Sequence, residues 1–243
     1  MDFETAAVTI KIGGYSIAMR SFVPSVSLTR ALGKRAGLLL SLATLLFIVP
    51  AAHAQFGGPD RTQVHDAAAL KPPPGDKIAI IEFDDMECPD CAAANPILIQ
   101  AHNQYHIPWI RHDFPLPFHP WSFEASVYAR WFQAHSKKLA YEYRNAVFAN
   151  QPSIINKRVL LSFTQKFAAQ HGLQLPFMID PTGKLADEVK ADRALGQRIG
   201  INHTPTIFIV TAGTKAPPYT EVLDPQHLFQ DIDRVEAEMG TSK

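Results

Sequence analysis

The sequence predicts an α/β domain with a helical subdomain inserted between its second and third strands. Three observations predict it. Short runs of β-branched, aliphatic and aromatic residues stand on either side of a long central stretch, as at 78–83 and 206–211. That central stretch carries its apolar residues at helical spacing. The only two cysteines of the 243-residue chain, Cys88 and Cys91, follow directly after the first run.

Residues 78–83 form a short apolar run suited to a buried strand, with one acid, Glu82, inside it. Residues 89 to about 105 read as a helix, with Ala92-Ala93-Ala94 early in it and Pro96 expected to kink it. Residues 107–114 read as a second strand. Four helical stretches follow at 121–134, 141–148, 157–170 and 183–199, broken by Pro152, Pro176 and Pro181. Residues 206–211, Thr-Ile-Phe-Ile-Val-Thr, are a strand by composition. Residues 221–223 are expected to form a short edge strand and 225–239 a closing helix. This order is a thioredoxin-like layout over 77–240, with about 80 helical residues inserted at about 118–198, the size of a small subdomain. Residues 55–76 hold Gly57-Gly58-Pro59 and Pro72-Pro73-Pro74-Gly75 and read as a flexible lead-in.

The N-terminal part reads differently. Arg30, Lys34 and Arg35 precede an apolar run over 36–50, followed by Ala52-His53-Ala54. A basic region, a hydrophobic region and an A-x-A site make an export signal, cleaved after Ala54. The alternative is an uncleaved anchor, for which the run is shorter than the ~20 residues a spanning helix needs. Residues 1–29 have no role in such a signal, and Met19 is an alternative start. The expected destination is the periplasm or the exterior. Of 23 bases and 23 acids, five and two lie in the first 54 residues, so the remainder carries 18 bases, 21 acids and a net charge of −3. That balance gives no basis for nucleic acid or an anionic membrane surface as partner.

Export sharpens the reading of the cysteines. Oxidising compartments favour disulfide staples between distant segments, but Cys88 and Cys91 have only Pro89 and Asp90 between them. Two thiols on the first turn of a helix close a small, reversible disulfide instead. The exposed N–H groups and macrodipole there favour a thiolate on the first cysteine, making Cys88 the nucleophile and Cys91 the resolving thiol. The competing reading is zinc, with His102 and His106 at i, i+4 completing a Cys₂His₂ set. The helix that starts at once after Cys91 leaves no room for the returning strand of a zinc finger, so both histidines are read as helix surface and no metal or other cofactor is expected.

Residues 80–91, Ile-Ile-Glu-Phe-Asp-Asp-Met-Glu-Cys-Pro-Asp-Cys, resemble the active-site segment of the DsbA-like thiol:disulfide oxidoreductases of the thioredoxin superfamily. Asp113-Phe114-Pro115-Leu116-Pro117-Phe118-His119-Pro120 resembles the FPL…H segment of one DsbA-like branch, and Thr204-Pro205-Thr206 the family's cis-proline loop. The three motifs occur in the family's order over about 77–240. The resemblance implies a cis Thr204-Pro205 bond packed against the dithiol, leaving the Thr204 backbone free to pair with an extended substrate. It also implies that Glu82 lies buried beneath the dithiol, where a raised pKa lets it relay a proton to or from Cys91. It marks His119 without assigning it a role.

One departure bears on redox poise. Strongly oxidising members carry histidine where this chain has Asp90, and Pro89-Asp90 is the dipeptide that tunes the couple. Asp90, with Asp84, Asp85 and Glu87 close in sequence, is expected to disfavour the Cys88 thiolate relative to a Cys-Pro-His-Cys site. The leading function is extracytoplasmic exchange with protein thiols through a Cys88 mixed disulfide, a membrane redox partner restoring the Cys88–Cys91 disulfide. A reductase or isomerase kept reduced by a membrane donor is the alternative, and a non-catalytic peptide- or metal-binding protein is the reading of another class.

Overall fold

The computed structural model describes residues 7–12, 15–20, 61–213 and 216–240, in two compact units, 1–53 and 54–243. In the first unit β1 (Ala7–Ile12) pairs antiparallel with β2 (Tyr15–Arg20), Ile12 opposite Tyr15. Sequence reading assigns no structure there, although Gly13-Gly14 between two alternating runs is a hairpin signal. The predicted export signal, its cleavage after Ala54 and the lead-in up to residue 60 lie outside the described residues.

The second unit is built on a four-stranded sheet in the order β4-β3-β5-β6. Strand β3 (Ile78–Asp84) pairs parallel with β4 (Trp109–Asp113) and antiparallel with β5 (Thr206–Thr211), which pairs antiparallel with β6 (Tyr219–Val222). Every residue of β3 and β5 is buried, because helices cover both faces. Successive strand residues face opposite ways, so Ile78 and Ile80 join Ile207 and Ile209 against α1 (Pro89–Tyr105) and α6 (Leu228–Met239). Ala79, Ile81 and Phe83 pack on the other face with Phe208, Val210, Phe114 and Ile199. By the same alternation Glu82 and Asp84 fall on the α1 face. That parity puts an acid beneath the dithiol helix.

Helix α1 runs unbroken through Pro96 and ends at His106 in the left-handed region, φ 54°. The insert contains α2 (Ser122–His135), α3 (Lys137–Asn150), a 3₁₀ turn (Gln151–Ser153), α4 (Lys157–Gln170) and α5 (Lys184–Ile199). Ser136 and Asn156 cap α3 and α4 by accepting from the Leu139 and Val159 N–H groups. The insert core holds Trp121, Phe132, Tyr143, Leu160 and Phe167, and Met86, Cys88 and Cys91 belong to the same cluster. The dithiol thus sits on the seam between sheet and insert. Trp121 and Phe132 are core, whereas Phe123 and Trp131 are only partly buried.

The expectation of a flexible lead-in does not hold for residues 61–76. The His65 N–H donates to Ile199 O at 2.8 Å, both Glu221 carboxylate oxygens accept from the Thr62 N–H, and Leu70 is buried. Gly200, which ends α5 at φ +108°, shows how close this segment lies: a Cβ there would stand 2.3 Å from Gln63 O. Apolar Leu70 and these backbone hydrogen bonds hold a stretch whose proline content alone suggests a loose tether.

Candidate active site

Cys88 is the N-cap of α1, its backbone extended at φ −75°, ψ 122°, and Pro89 opens the helix at a position where a missing N–H costs nothing. Both cysteines are free thiols. The Cys88 thiol is 6% exposed and donates to the carbonyl of Thr204 at 3.3 Å. The Thr204-Pro205 bond is cis. Cys91, one turn on, is fully buried and accepts from the Asp85 N–H at 3.5 Å.

These surroundings split the two thiols. A hydrogen bond from the Cys91 side chain pulls Cys88 down to about 6, outweighing its burial, with further help from Thr204 and the N–H groups of Cys91 and Asp90. Burial first, then the hydrogen bond it gives Cys88 and the charges of Cys88, Glu82 and Asp84, push Cys91 well above the usual thiol range. The pair is therefore one nucleophile and one held proton.

Glu82 is fully buried, and burial raises its carboxyl to about 8 against the opposing pull of Arg111. One oxygen accepts from Trp109 Nε1 at 3.0 Å and lies 3.4 Å from Arg111 Nε; the other has no hydrogen-bond partner. Glu82 is thus a buried acid with an idle oxygen, and its charge raises Cys91.

The acids near Cys88 in sequence have partners of their own. Asp84 accepts from Arg111 Nε at 2.9 Å and from Arg144 at 3.2 Å. Asp85 accepts from the N–H groups of Glu87 and Leu116 and from His119 Nδ1, the last at 2.7 Å. Glu87 caps the start of α2, accepting from the N–H groups of Trp121 and Ser122. Asp90 is exposed, its side chain in water, while its N–H favours the thiolate.

His119 touches neither sulfur; it orients Asp85, whose backbone N–H meets Cys91. His102 is not the helix-surface residue expected. Its Nδ1 bonds Ile107 O at 2.7 Å and its ring lies 6.4 Å from that of Trp109, closing the turn between α1 and β4, while His106 is exposed. Among the described residues no cluster of His, Cys, Asp or Glu is arranged to hold a metal ion.

Sequence reasoning missed three side chains. Trp109 and Arg111 meet Glu82 because β4 runs parallel to β3, placing Arg111 opposite Glu82. Gln151, from the 3₁₀ turn of the insert, donates to the carbonyls of Met86 at 3.0 Å and Cys88 at 2.9 Å. No local pattern marks them. A cleft of about 400 Å³ runs beside the dithiol, lined by Asp90, Ile97, His203, Thr204, Pro205 and Leu223 among others.

Comparison with known proteins bears on the fold. Wolbachia pipientis alpha-DsbA1 is 19% identical with a TM-score of 0.55, over 70% of this chain and 90% of that one. The thiol-disulfide exchange protein alpha-DsbA2 of the same organism is 18% identical with a TM-score of 0.52, over 68% and 84%. Proteus mirabilis ScsC, in a transitional conformation, is 18% identical with a TM-score of 0.52, over 73% and 75%. No curated protein matches the sequence. At these identities the likeness establishes the thioredoxin-like fold with its helical insert. The family model described as thioredoxin matches residues 76–223, which take in the dithiol, Glu82 and the Thr204-Pro205 turn, and on that match the chain belongs to the thioredoxin family.

Proposed function

We propose that this protein is an extracytoplasmic thiol:disulfide oxidoreductase that acts on protein thiols. One arrangement carries the reading: Cys88 caps the N-terminus of α1 beside the Thr204 carbonyl, where a hydrogen bond from Cys91 draws its thiol down to about 6, while burial pushes Cys91 well above the usual thiol range. In the oxidised form a client thiolate attacks the Cys88 sulfur, the Cys88–Cys91 bond breaks, and Cys91 leaves as a thiolate that takes a proton from Glu82. A second client thiolate then attacks the client sulfur of the mixed disulfide. Cys88 departs as a stabilised thiolate, and a good leaving group departs faster. The client gains a disulfide, the enzyme holds two thiols, and a membrane redox partner removes the two electrons. The Thr204 backbone pairs with the client as an extended strand beside Pro205. Arg30, Lys34 and Arg35 ahead of the apolar run 36–50 support an exported protein cleaved after Ala54. No helix among the described residues is long and apolar enough to cross a membrane.

Trapping tests this directly. In Cys91→Ser the Cys88 thiolate is expected to attack client disulfides, expelling one client thiolate, and to accumulate mixed disulfides that no Cys91 resolves, and Cys88→Ser is expected to abolish dithiol oxidation. Retained activity in Cys88→Ser would overturn Cys88 as the nucleophile, and a wild type without dithiol-oxidation activity would overturn the reading in favour of a binding protein. A second reading, a reductase or isomerase, is favoured by the exposed Asp90 where strong oxidants of the family carry histidine. A dithiol trapped in the reduced state in cells supports it, and a trapped Cys88–Cys91 disulfide supports the oxidase. Equilibration with glutathione is expected to give a potential more reducing than about −120 mV.

A further inference from the structure

The helical insert reaches the active-site loop with one side chain whose function the exchange chemistry leaves unassigned. Residues 85–88 turn tightly, the Cys88 N–H donating to Asp85 O at 3.0 Å. The carbonyls of Met86 and Cys88 both accept from the Gln151 amide, at 3.0 and 2.9 Å. Met86 is fully buried, so its carbonyl has no water to turn to if that donor is lost. The Cys88 carbonyl also accepts from the Ala92 N–H at 3.1 Å, the first helical bond of α1. Gln151 is itself fixed: its N–H donates to Phe148 O and its carbonyl accepts from the Ile154 N–H.

We propose that Gln151 is a positioning residue for Cys88, its amide fixing the Cys88–Pro89 peptide and with it the angle at which the first N–H groups of α1 meet the Cys88 sulfur. Pro89 supplies no N–H, so only the Asp90 and Cys91 groups serve the thiolate from the backbone, and both lie downstream of that peptide. A small rotation of the plane moves both. The proposal rests on the exchange reading and makes the insert part of the nucleophile's activation.

The test is the pH profile of Cys88 alkylation by iodoacetamide in the reduced full-length protein, for which a midpoint of about 6 is expected in the wild type. Gln151→Met keeps the bulk and removes both donors; Gln151→Glu keeps the shape and turns a carboxylate toward two carbonyls. Both are expected to raise the midpoint by about half to one pH unit, slowing alkylation at the wild-type midpoint about two- to fivefold. Ser153→Ala, exposed in the same 3₁₀ turn, is expected to leave it unmoved. A folded Met or Glu variant with the wild-type midpoint overturns the proposal, even if its melting temperature has dropped, because Gln151 is then only packing. The wild-type profile alone bears on the exchange reading: a midpoint near the ordinary ~8.5 speaks against the site, whatever the variants do.

Discussion

Glu82 and Asp84 stand two residues apart on one face of one strand, both buried, yet their surroundings differ in kind. Asp84 belongs to a network that closes. It bonds Arg111 and Arg144; Arg144 also pairs with Asp113, Arg130 joins Asp113 to Asp192, and His112 bonds Asp192. These residues tie β3 and β4 to α2, α3 and α5, three arginines against three aspartates. Glu82 is the fourth acid and has no fourth guanidinium. It shares Arg111 at 3.4 Å and leaves one oxygen idle, so its carboxyl keeps its proton up to about 8. A buried acid with its full set of partners ties elements together, whereas one a partner short holds its proton to higher pH.

Breaking the closed network has the largest expected effect on stability. Arg144→Met leaves Asp84 and Asp113 short of a cation in a site closed to water, and a loss of about 3–5 kcal/mol in urea unfolding is expected. A loss below about 1 kcal/mol would show that the network is no tighter than a surface pair.

Next comes Glu82, through pH. Its folded pKa, about 8, lies above the ordinary carboxyl value, so the folded state holds the extra proton. Its contribution is fully present below the unfolded pKa and is lost as pH rises through about 8, on the order of a few kcal/mol. Glu82→Gln removes that loss. The variant is expected to gain on the wild type as pH rises across this window, while thiol exchange slows because Cys91 has no proton donor. Parallel stability curves would refute the raised carboxyl.

Cys88 has the opposite sign. Its folded pKa, about 6, lies below the ordinary value of 9.0, so its contribution to the reduced protein is present above the unfolded pKa and lost as pH falls through about 6. Cys88→Ser is therefore expected to lose most against the wild type at alkaline pH and least in acid, measured on reduced samples. A constant difference would mean that the thiol is not depressed.

Smaller effects mark the edges. His119→Ala removes one bond to Asp85 and is expected to cost about 1–2 kcal/mol in unfolding while shifting Cys88 alkylation little. Lys138→Ala, in an exposed i, i+4 pair with Glu142, is expected to stay within about 0.5 kcal/mol of wild type. A larger change at Lys138 than at His119 would invert the contrast between buried and solvated partners.

Much of the molecule was legible along the chain. Apolar runs and β-branched composition located the strands of residues 77–240, and helical periodicity the α-helices, to within a few residues. The adjacency of Cys88 and Cys91 after a strand pointed to a dithiol, since helix N-termini favour thiolates whatever the wider fold. Resemblance to DsbA-like proteins supplied the cis Thr204-Pro205 bond, which no local propensity indicates. Less legible were the partners of the acids around Cys88. Asp84, Asp85 and Glu87 cluster around Cys88 in the sequence, but tertiary structure gives each a different partner. Residues 61–76, rich in proline, were likewise read by composition, while Leu70 and Thr62 take their role from α5 and β6. The sequence by itself determined the elements, their order and the candidate nucleophile, because those follow from periodicity and local chemistry. Only tertiary structure decided which partners each buried acid meets and which side chain of the insert holds the active-site loop, because both depend on residues that are distant along the chain and meet only when the insert closes over the sheet.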